Sequence, residues 1–105
     1  MIRVIYRWRV PAEEHDAFVA AWTAATHSIR ERVQGARGSL LLRDADDADV
    51  FLAVARWTDR AAWEAFRKAP SVDPDATAAL RRVGAESEVV GLYDELSELT
   101  EPALV

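Results

Sequence analysis

The chain has 105 residues, of which 50% are hydrophobic and 30% are charged, and its formal net charge is -5 at pH 7. This length suits one domain around one core, so we predict a single domain over residues 1–105, with a core at 2–96 and a tail at 97–105. The acidic balance argues against binding to nucleic acids and to anionic membrane surfaces, because both require a basic face. The lack of cysteine excludes disulfides, thiolate metal sites and cysteine nucleophiles. Neither a secretory leader nor a membrane-spanning run stands out, so we expect a cytoplasmic protein.

The first half of the chain is predicted to form a strand, a long helix and a hairpin. Residues Ile2 to Val10 alternate in a way that is typical of a strand with one buried face, and Pro11 ends it. Glu13 to Val33 carries an apolar stripe at helical spacing. Ala36 to Asp44 and Val50 to Thr58 are rich in strand-forming residues and are joined by a short acidic turn, so we expect them to pair.

The second half repeats the order of helix and strand. Asp59 to Ala69 is predicted to be a helix that Pro70 stops, and a short helix follows at Ala76 to Val83. Glu86 to Leu96 is predicted to be the fourth strand. The resulting order β-α-β-β-α-β, with one extra short helix, indicates an α+β fold of the ferredoxin-like type with a four-stranded antiparallel sheet.

The third predicted strand is apolar on both of its faces. Val50, Leu52 and Val54 take one face, and the alternate residues from Phe51 to Trp57 take the other. In a two-layer domain the helices cover only one face of the sheet, so the other face would expose hydrophobic side chains. We therefore predict a homodimer that packs through its sheet faces around a two-fold axis.

Aromatic residues concentrate where the third strand passes into the next helix. Trp57 ends the strand, and Trp63 and Phe66 follow at a spacing that places them on one helix face. Trp22 and Phe18 belong to the apolar stripe of the first helix, which faces the same layer. These five side chains are the predicted pocket for a flat aromatic molecule, and plain packing in the core is the alternative.

Tyr6 and His27 are the candidate catalytic residues. A buried phenol needs a hydrogen-bond partner, so Tyr6 is either a structural donor or a donor to a substrate oxygen. His27 lies off the apolar stripe and is either a surface residue or a general base. His15 and His27 would lie about 18 Å apart along one helix, which is too far to hold one metal ion. The acidic turn at residues 44–49 lacks the spacing of a calcium loop, so no metal site is predicted.

The sequence resembles the antibiotic biosynthesis monooxygenase (ABM) family. The resemblance rests on the opening IRVIYRWRVPAEEHDAFVAAW, on the segment LAVARWTDRAAWEAF and on a last strand rich in valine and tyrosine, and it covers about residues 2–96. Its most specific part is the segment RWTDRA at residues 56–61, in which Trp57 stands where the family has a tryptophan at the turn into the second helix.

This resemblance implies a dimeric α/β barrel with a pocket between the helices and the sheet of each subunit, lined by Trp57. Members include oxygenases of aromatic polyketide pathways, which use molecular oxygen without flavin, haem or metal, and enzymes that degrade haem. On this basis we expect a monooxygenase without a cofactor, acting on a small aromatic or polyketide-like substrate. A non-enzymatic dimer that binds a hydrophobic small molecule, and a polyketide cyclase or isomerase on the same scaffold, are the alternatives.

Some positions depart from the patterns of particular members. Haem-degrading members have an asparagine near the middle of the first strand and a histidine after the second helix. Here Tyr6 takes the first position and no histidine follows Phe66, so haem degradation is not expected. Quinone-forming members tend to have an asparagine four positions before the tryptophan, where this chain has Ala53.

Overall fold

The structure is a computed structural model that describes residues 1–101; the last four residues of the predicted tail lie outside the described part. The elements in chain order are β1 (Ile2–Arg9), a 3-10 turn (Ala12–Glu14), α1 (His15–Arg32), β2 (Ala36–Arg43), β3 (Val50–Trp57), α2 (Arg60–Lys68), α3 (Pro74–Arg82) and β4 (Glu86–Asp94). Each predicted strand and helix is therefore confirmed, with ends that agree to within two residues. No helix in residues 1–101 combines the length and apolarity needed to cross a bilayer.

The four strands form one antiparallel sheet in the order β2-β3-β1-β4. β1 lies between β3 and β4 along its whole length, and β2 pairs with β3 as the predicted hairpin. With α1 and α2 as the two crossover helices, this arrangement confirms the predicted α+β ferredoxin-like fold.

Short polar signals set the ends of the helices. The Asp59 carboxylate accepts a hydrogen bond from the Ala62 N–H at 2.8 Å and so caps α2. Asp73 caps α3 in the same way and also accepts a hydrogen bond from Ser28 Oγ at 2.6 Å, which ties α3 to α1. Gly35 turns the chain from α1 into β2 with φ of 90°, and a Cβ there would lie 2.6 Å from that of Ala62. Only glycine satisfies both demands at this turn.

The core between the helices and the sheet divides into two clusters. At one end, which we call the closed end, the buried residues are Val10, Phe18, Phe51 and Val83. At the other end, which we call the open end, they are Ile2, Val4, Ala36, Trp57 and Trp63. Aromatic side chains are thus a major part of both clusters.

The opposite side of the sheet, which we call the outer face, carries the side chains of Ile5, Leu40, Leu42, Leu52 and Val54. The strand register places these residues opposite one another on neighbouring strands. Leu40 and Leu42 are 56% and 44% exposed in the single chain. The outer face therefore carries an apolar patch, as the side chains of the third strand predict, and arginines of β1 and β3 lie on the same face.

Val50 departs from that prediction. It was expected on the free face, but its exposed fraction is only 3% within one chain. The reason is that Val50 lies at the base of the acidic turn, where its backbone exchanges hydrogen bonds with Asp44 and Asp47. Val50 thus belongs to the folded chain itself and offers little surface to a partner.

Candidate functional site

A pocket of about 260 Å³ lies between the helices and the inner face of the sheet, toward the open end. Its lining is mostly apolar, and five aromatic side chains contribute to it: Tyr6, Trp8, Trp22, Trp57 and Phe66. The rings of Trp57 and Phe66 stand 5.1 Å apart and are tilted by 36°, so together they make one continuous aromatic surface. A concave, apolar and aromatic lining of this kind suits a small, flat organic molecule.

Small residues create the empty space. Ala53 and Ala55 lie side by side on the inner face of β3, Ala25 lies on α1, and Gly38 and Ser39 lie on β2; all five line the pocket. Each has at most a methyl or hydroxymethyl group where a packed core usually has a branched side chain. The pocket therefore forms where these small groups meet the aromatic walls.

Tyr6 has a defined hydrogen bond inside the protein. Trp63 Nε1 donates to the Tyr6 hydroxyl oxygen at 2.7 Å. Since an indole N–H only donates, the oxygen of Tyr6 is the acceptor and its own proton is left for another acceptor. Burial raises the pKa of Tyr6, although the bond from Trp63 and the charge of Arg67 oppose that rise. Tyr6 therefore remains a neutral O–H donor at physiological pH, on a wall of the pocket.

Trp63 supports the pocket from behind rather than lining it. Its side chain is 1% exposed and does not belong to the lining. The Arg67 guanidinium lies 4.6 Å from the centre of its ring. Trp63 was predicted to form part of the pocket wall; in the structure its indole lies behind the wall and donates its hydrogen bond to Tyr6.

Phe18 and His27 also lie away from the lining. Phe18 sits one helical turn before Trp22, so it reaches the closed end, where its ring lies 5.0 Å from that of Phe51. His27 is 68% exposed on α1, and its Nε2 lies 3.2 Å from the Glu31 carboxylate on the same helix. The structure therefore places the predicted base on the solvent side of α1, while Tyr6, Trp22, Trp57 and Phe66 come together.

Trp8, Ser39 and Arg30 are among the polar residues of the lining that were not singled out from the sequence. Trp8 Nε1 and Ser39 Oγ are buried without a hydrogen-bond partner among residues 1–101. Arg30 lies exposed at the mouth of the pocket, in the last turn of α1. The sequence signal for Ser39 is Gly38, whose φ of 91° accompanies a shift in the register of β2. Because of that shift, Ala36 and Ser39 face the same side of the sheet, and Leu40 faces the other.

The fold and the pocket define a ferredoxin-like α+β domain with an apolar pocket between its helices and its sheet. The model of the antibiotic biosynthesis monooxygenase family matches residues 1–73. The chain belongs to this family, which confirms the resemblance noted in the sequence. No match was found among curated proteins.

Solved structures agree with this assignment. A putative antibiotic biosynthesis monooxygenase from Deinococcus radiodurans superposes with a TM-score of 0.73 at 16% identity, over 98% of this chain and 100% of that chain. SnoaB, a cofactor-independent oxygenase from Streptomyces nogalater, superposes with a TM-score of 0.71 at 25% identity, over 95% of this chain and 97% of that chain. The heme-degrader MhuD from Mycobacterium tuberculosis superposes with a TM-score of 0.70 at 18% identity, over 95% of this chain and 100% of that chain. The first and third likenesses bear on the fold alone.

Proposed function

We propose that this protein is a cofactor-independent monooxygenase that oxidises a small aromatic or polyketide-like substrate with molecular oxygen. The observation that carries the proposal is an apolar aromatic pocket with a half-buried O–H donor, Tyr6, on its wall. Membership of the family supports it, as does the 25% identity to SnoaB, a cofactor-independent oxygenase. In this proposal Tyr6 is the catalytic donor, and Trp57, Trp22 and Phe66 form the substrate pocket.

The chemistry needs an electron-rich substrate rather than a cofactor. A substrate with an acidic CH₂ group loses one proton, and the resulting carbanion transfers an electron to O₂. The two radicals then combine to form a C–O bond, and protonation gives a hydroperoxide. Loss of water turns the carbon into a carbonyl, so one CH₂ and one O₂ yield one C=O and one H₂O. All the electrons come from the substrate.

Tyr6 would act on the charge that develops during this sequence. When the carbanion is conjugated with a carbonyl, its negative charge resides largely on the carbonyl oxygen. A hydrogen bond from a preorganised, water-excluded donor stabilises such an oxyanion strongly. Trp63 fixes the Tyr6 oxygen from the other side, so the donor requires little reorganisation when the charge appears.

Non-enzymatic binding of a hydrophobic small molecule is the second candidate function. It is favoured by one observation: the lining contains no aspartate, glutamate or histidine that would serve as a general base. A cyclase or isomerase on this scaffold would need such a proton acceptor beside its donor. The composition of the lining therefore counts against this third alternative.

Oxygen uptake with anthrone as substrate tests the first candidate. We expect consumption of one O₂ per anthrone at a rate above that of buffer, and about a hundredfold lower rate for Tyr6→Phe, which lacks the donor. Tyr93→Phe removes the other tyrosine hydroxyl of the chain and should leave the rate unchanged. A wild-type rate equal to buffer, with tryptophan fluorescence still quenched by the ligand, would favour the binding protein instead.

We also propose that a second copy of the chain covers the outer face. Its five side chains form an apolar patch across three neighbouring strands, and two of its leucines are about half exposed in the single chain. Burying such a patch against itself is a common basis of two-fold dimers. Light scattering at micromolar concentration should give twice the chain mass of 11.7 kDa, and Leu42→Glu should give the monomer. A monomeric wild type would refute the proposal.

A further inference from the structure

Four polar side chains of the lining, those of Tyr6, Trp8, Arg30 and Ser39, have a hydrogen-bond donor without an acceptor among residues 1–101. The oxygen of Tyr6 already accepts from Trp63, so its proton is what remains to be used. The indole of Trp8 and the guanidinium of Arg30 only donate. Ser39 has a hydroxyl with no partner among the described residues. A ligand that complements this lining presents hydrogen-bond acceptors.

The charged residues at the pocket also favour a ligand that accepts hydrogen bonds, because they are positively charged. The charged residues of the lining are Arg30 and Arg56, and no acidic residue is among them. The strand register places Arg56 opposite Arg3, on the outer face of the sheet. Arg56 is occupied by Glu95, which accepts two hydrogen bonds from it at 2.6 and 3.0 Å. Arg30 has no carboxylate within salt-bridge distance in residues 1–101. A cationic pocket mouth in a chain of net charge -5 favours an anionic ligand.

Packing holds Arg30 at the mouth. Its Cδ lies 3.6 Å from the position that a Cβ would take on Gly38, so the aliphatic stem crosses β2 beside Ser39. A Cβ at this position would be in ordinary van der Waals contact with the stem, so the stem packs against β2 at this point. An arginine in the last turn of a helix also complements the helix dipole, but that role does not require a place in the lining of a pocket.

We propose that the pocket selects the ionised form of an oxygenated aromatic ligand, a phenolate or an enolate, and that Arg30 supplies the charge selectivity. The inference rests on the proposed function only in placing the ligand in this pocket, and it holds for an enzyme and for a binding protein alike. It also accounts for the missing base. The O–H or C–H bond of the ligand breaks with its electron pair left on the ligand, and the proton goes to water at the open mouth.

A chromogenic phenol gives a direct measurement. The neutral and ionised forms of 4-nitrophenol absorb at different wavelengths, and the pKa of the bound molecule reports the ratio of the two affinities. We expect the wild type to bind the phenolate about tenfold more tightly than the phenol, which lowers the pKa of the bound ligand. The preference should weaken as salt is added.

Substitutions of Arg30 test whether this side chain causes the preference for the phenolate. Arg30→Gln should lower the phenolate preference about threefold to fivefold, as for a solvent-exposed ion pair, because the affinity for the phenolate falls more than that for the neutral phenol. Arg30→Lys should retain most of the preference. Arg82→Gln is the matched control, because it removes the same charge from the last turn of α3 and lies outside the lining.

Two results would overturn the inference: equal wild-type affinity for the two forms, including no binding of either, and a preference that Arg30→Gln leaves intact. Neither depends on turnover. The proposed oxygenase fails separately, when oxygen uptake equals that of buffer while the phenolate preference and its loss in Arg30→Gln are both observed. The two experiments therefore distinguish the failure of one proposal from that of the other.

Discussion

The closed end and the open end of the helix–sheet layer are both built from aromatic residues, yet the pocket opens toward only one of them. At the closed end, the rings of Phe18 and Phe51 lie 5.0 Å apart and fill the core. At the open end, the rings of Trp57 and Phe66 are just as close, at 5.1 Å, but the inner face of β3 next to Trp57 carries only the small residues Ala53 and Ala55. The presence of aromatic side chains alone therefore does not predict a pocket. The size of the residues that face them decides whether space remains.

Truncating one phenylalanine at each end should expose this difference most strongly. Phe18→Ala removes a fully buried ring and should lower the free energy of unfolding by about 3–5 kcal/mol. Phe66→Ala removes a ring that already borders empty space and should lower it by about half as much. Urea unfolding followed by far-UV circular dichroism measures both. Equal losses would mean that the two ends are packed alike.

A larger side chain on the inner face of β3 should fill the pocket at the open end. In Ala53→Leu, the added carbons enter the pocket, so the affinity for 4-nitrophenol should fall more than about tenfold. Stability should change by less than about 1.5 kcal/mol, since the site has room for the larger side chain. Ala24→Leu, on the exposed side of α1, is the matched control. Undiminished binding in Ala53→Leu would place the ligand outside this pocket.

Phe66 also limits the size of the open end. A second cavity of about 230 Å³ shares three wall residues with the pocket, namely Ala25, Ile29 and Phe66. Removing the ring in Phe66→Ala should join the two spaces. We expect the affinity for the four-ring phenol 1-hydroxypyrene to rise about tenfold over the wild type, while that for 4-nitrophenol falls slightly. An unchanged preference between the two ligands would show that Phe66 is not the partition.

The smallest expected effect concerns the hydrogen bond that links the open end to α2. Trp63→Phe removes the donor to Tyr6 and replaces the indole by a smaller ring. The lost hydrogen bond should lower the free energy of unfolding by about 1 kcal/mol, and the space vacated in the core adds to this loss. The pKa of Tyr6 should rise further, because the bond from Trp63 opposes the effect of burial. Tyrosinate absorbance in a Tyr93→Phe background reports Tyr6 alone, since the chain has two tyrosines. A lowered pKa would contradict the assigned direction of the bond.

The raised pKa of Tyr6 also makes the stability of the fold depend on pH. Burial keeps the pKa of Tyr6 in the folded chain above the ordinary tyrosine value of 10.0. The unfolded chain therefore loses this proton first, and stability should fall as the pH rises above about 10. Tyr6→Phe should lose this alkaline component, which thermal unfolding between pH 8 and 11 would reveal.

Much of the fold could be predicted from the sequence because its patterns are strong and local. The alternation from Ile2 to Val10, the stripe on α1 and the punctuation by Pro11 and Pro70 each follow from backbone chemistry. The order of the elements then restricts the topology to few possibilities. Even the free hydrophobic face could be anticipated from the side chains of β3, apart from Val50, which its own turn covers.

The candidate site was less predictable for two physical reasons. Strict alternation from Ala36 would turn Leu40 inward, whereas the shift at Gly38 turns Ser39 inward instead. A shared helix face also does not tell how far a cavity extends along the helix axis. For this reason Phe18 and Trp63 were both predicted in the pocket. In the structure Phe18 lies beyond the end of the pocket, and Trp63 lies behind its wall.

Every strand and every α-helix of the domain contributes to the pocket wall, from β1 to β4: Tyr6, Trp22, Ser39, Trp57, Phe66, Leu80 and Ser87. A molecule that fits this wall therefore binds only the assembled chain and shifts the folding equilibrium by mass action. At a hundred times its Kd it would add about 2.7 kcal/mol of stability. For a domain of this size that corresponds to a rise in Tm of roughly 10–20 °C. The melting temperature of the chain is thus a detector for its own ligand, and a thermal-shift screen of phenols and polyketides would work without any assay of turnover.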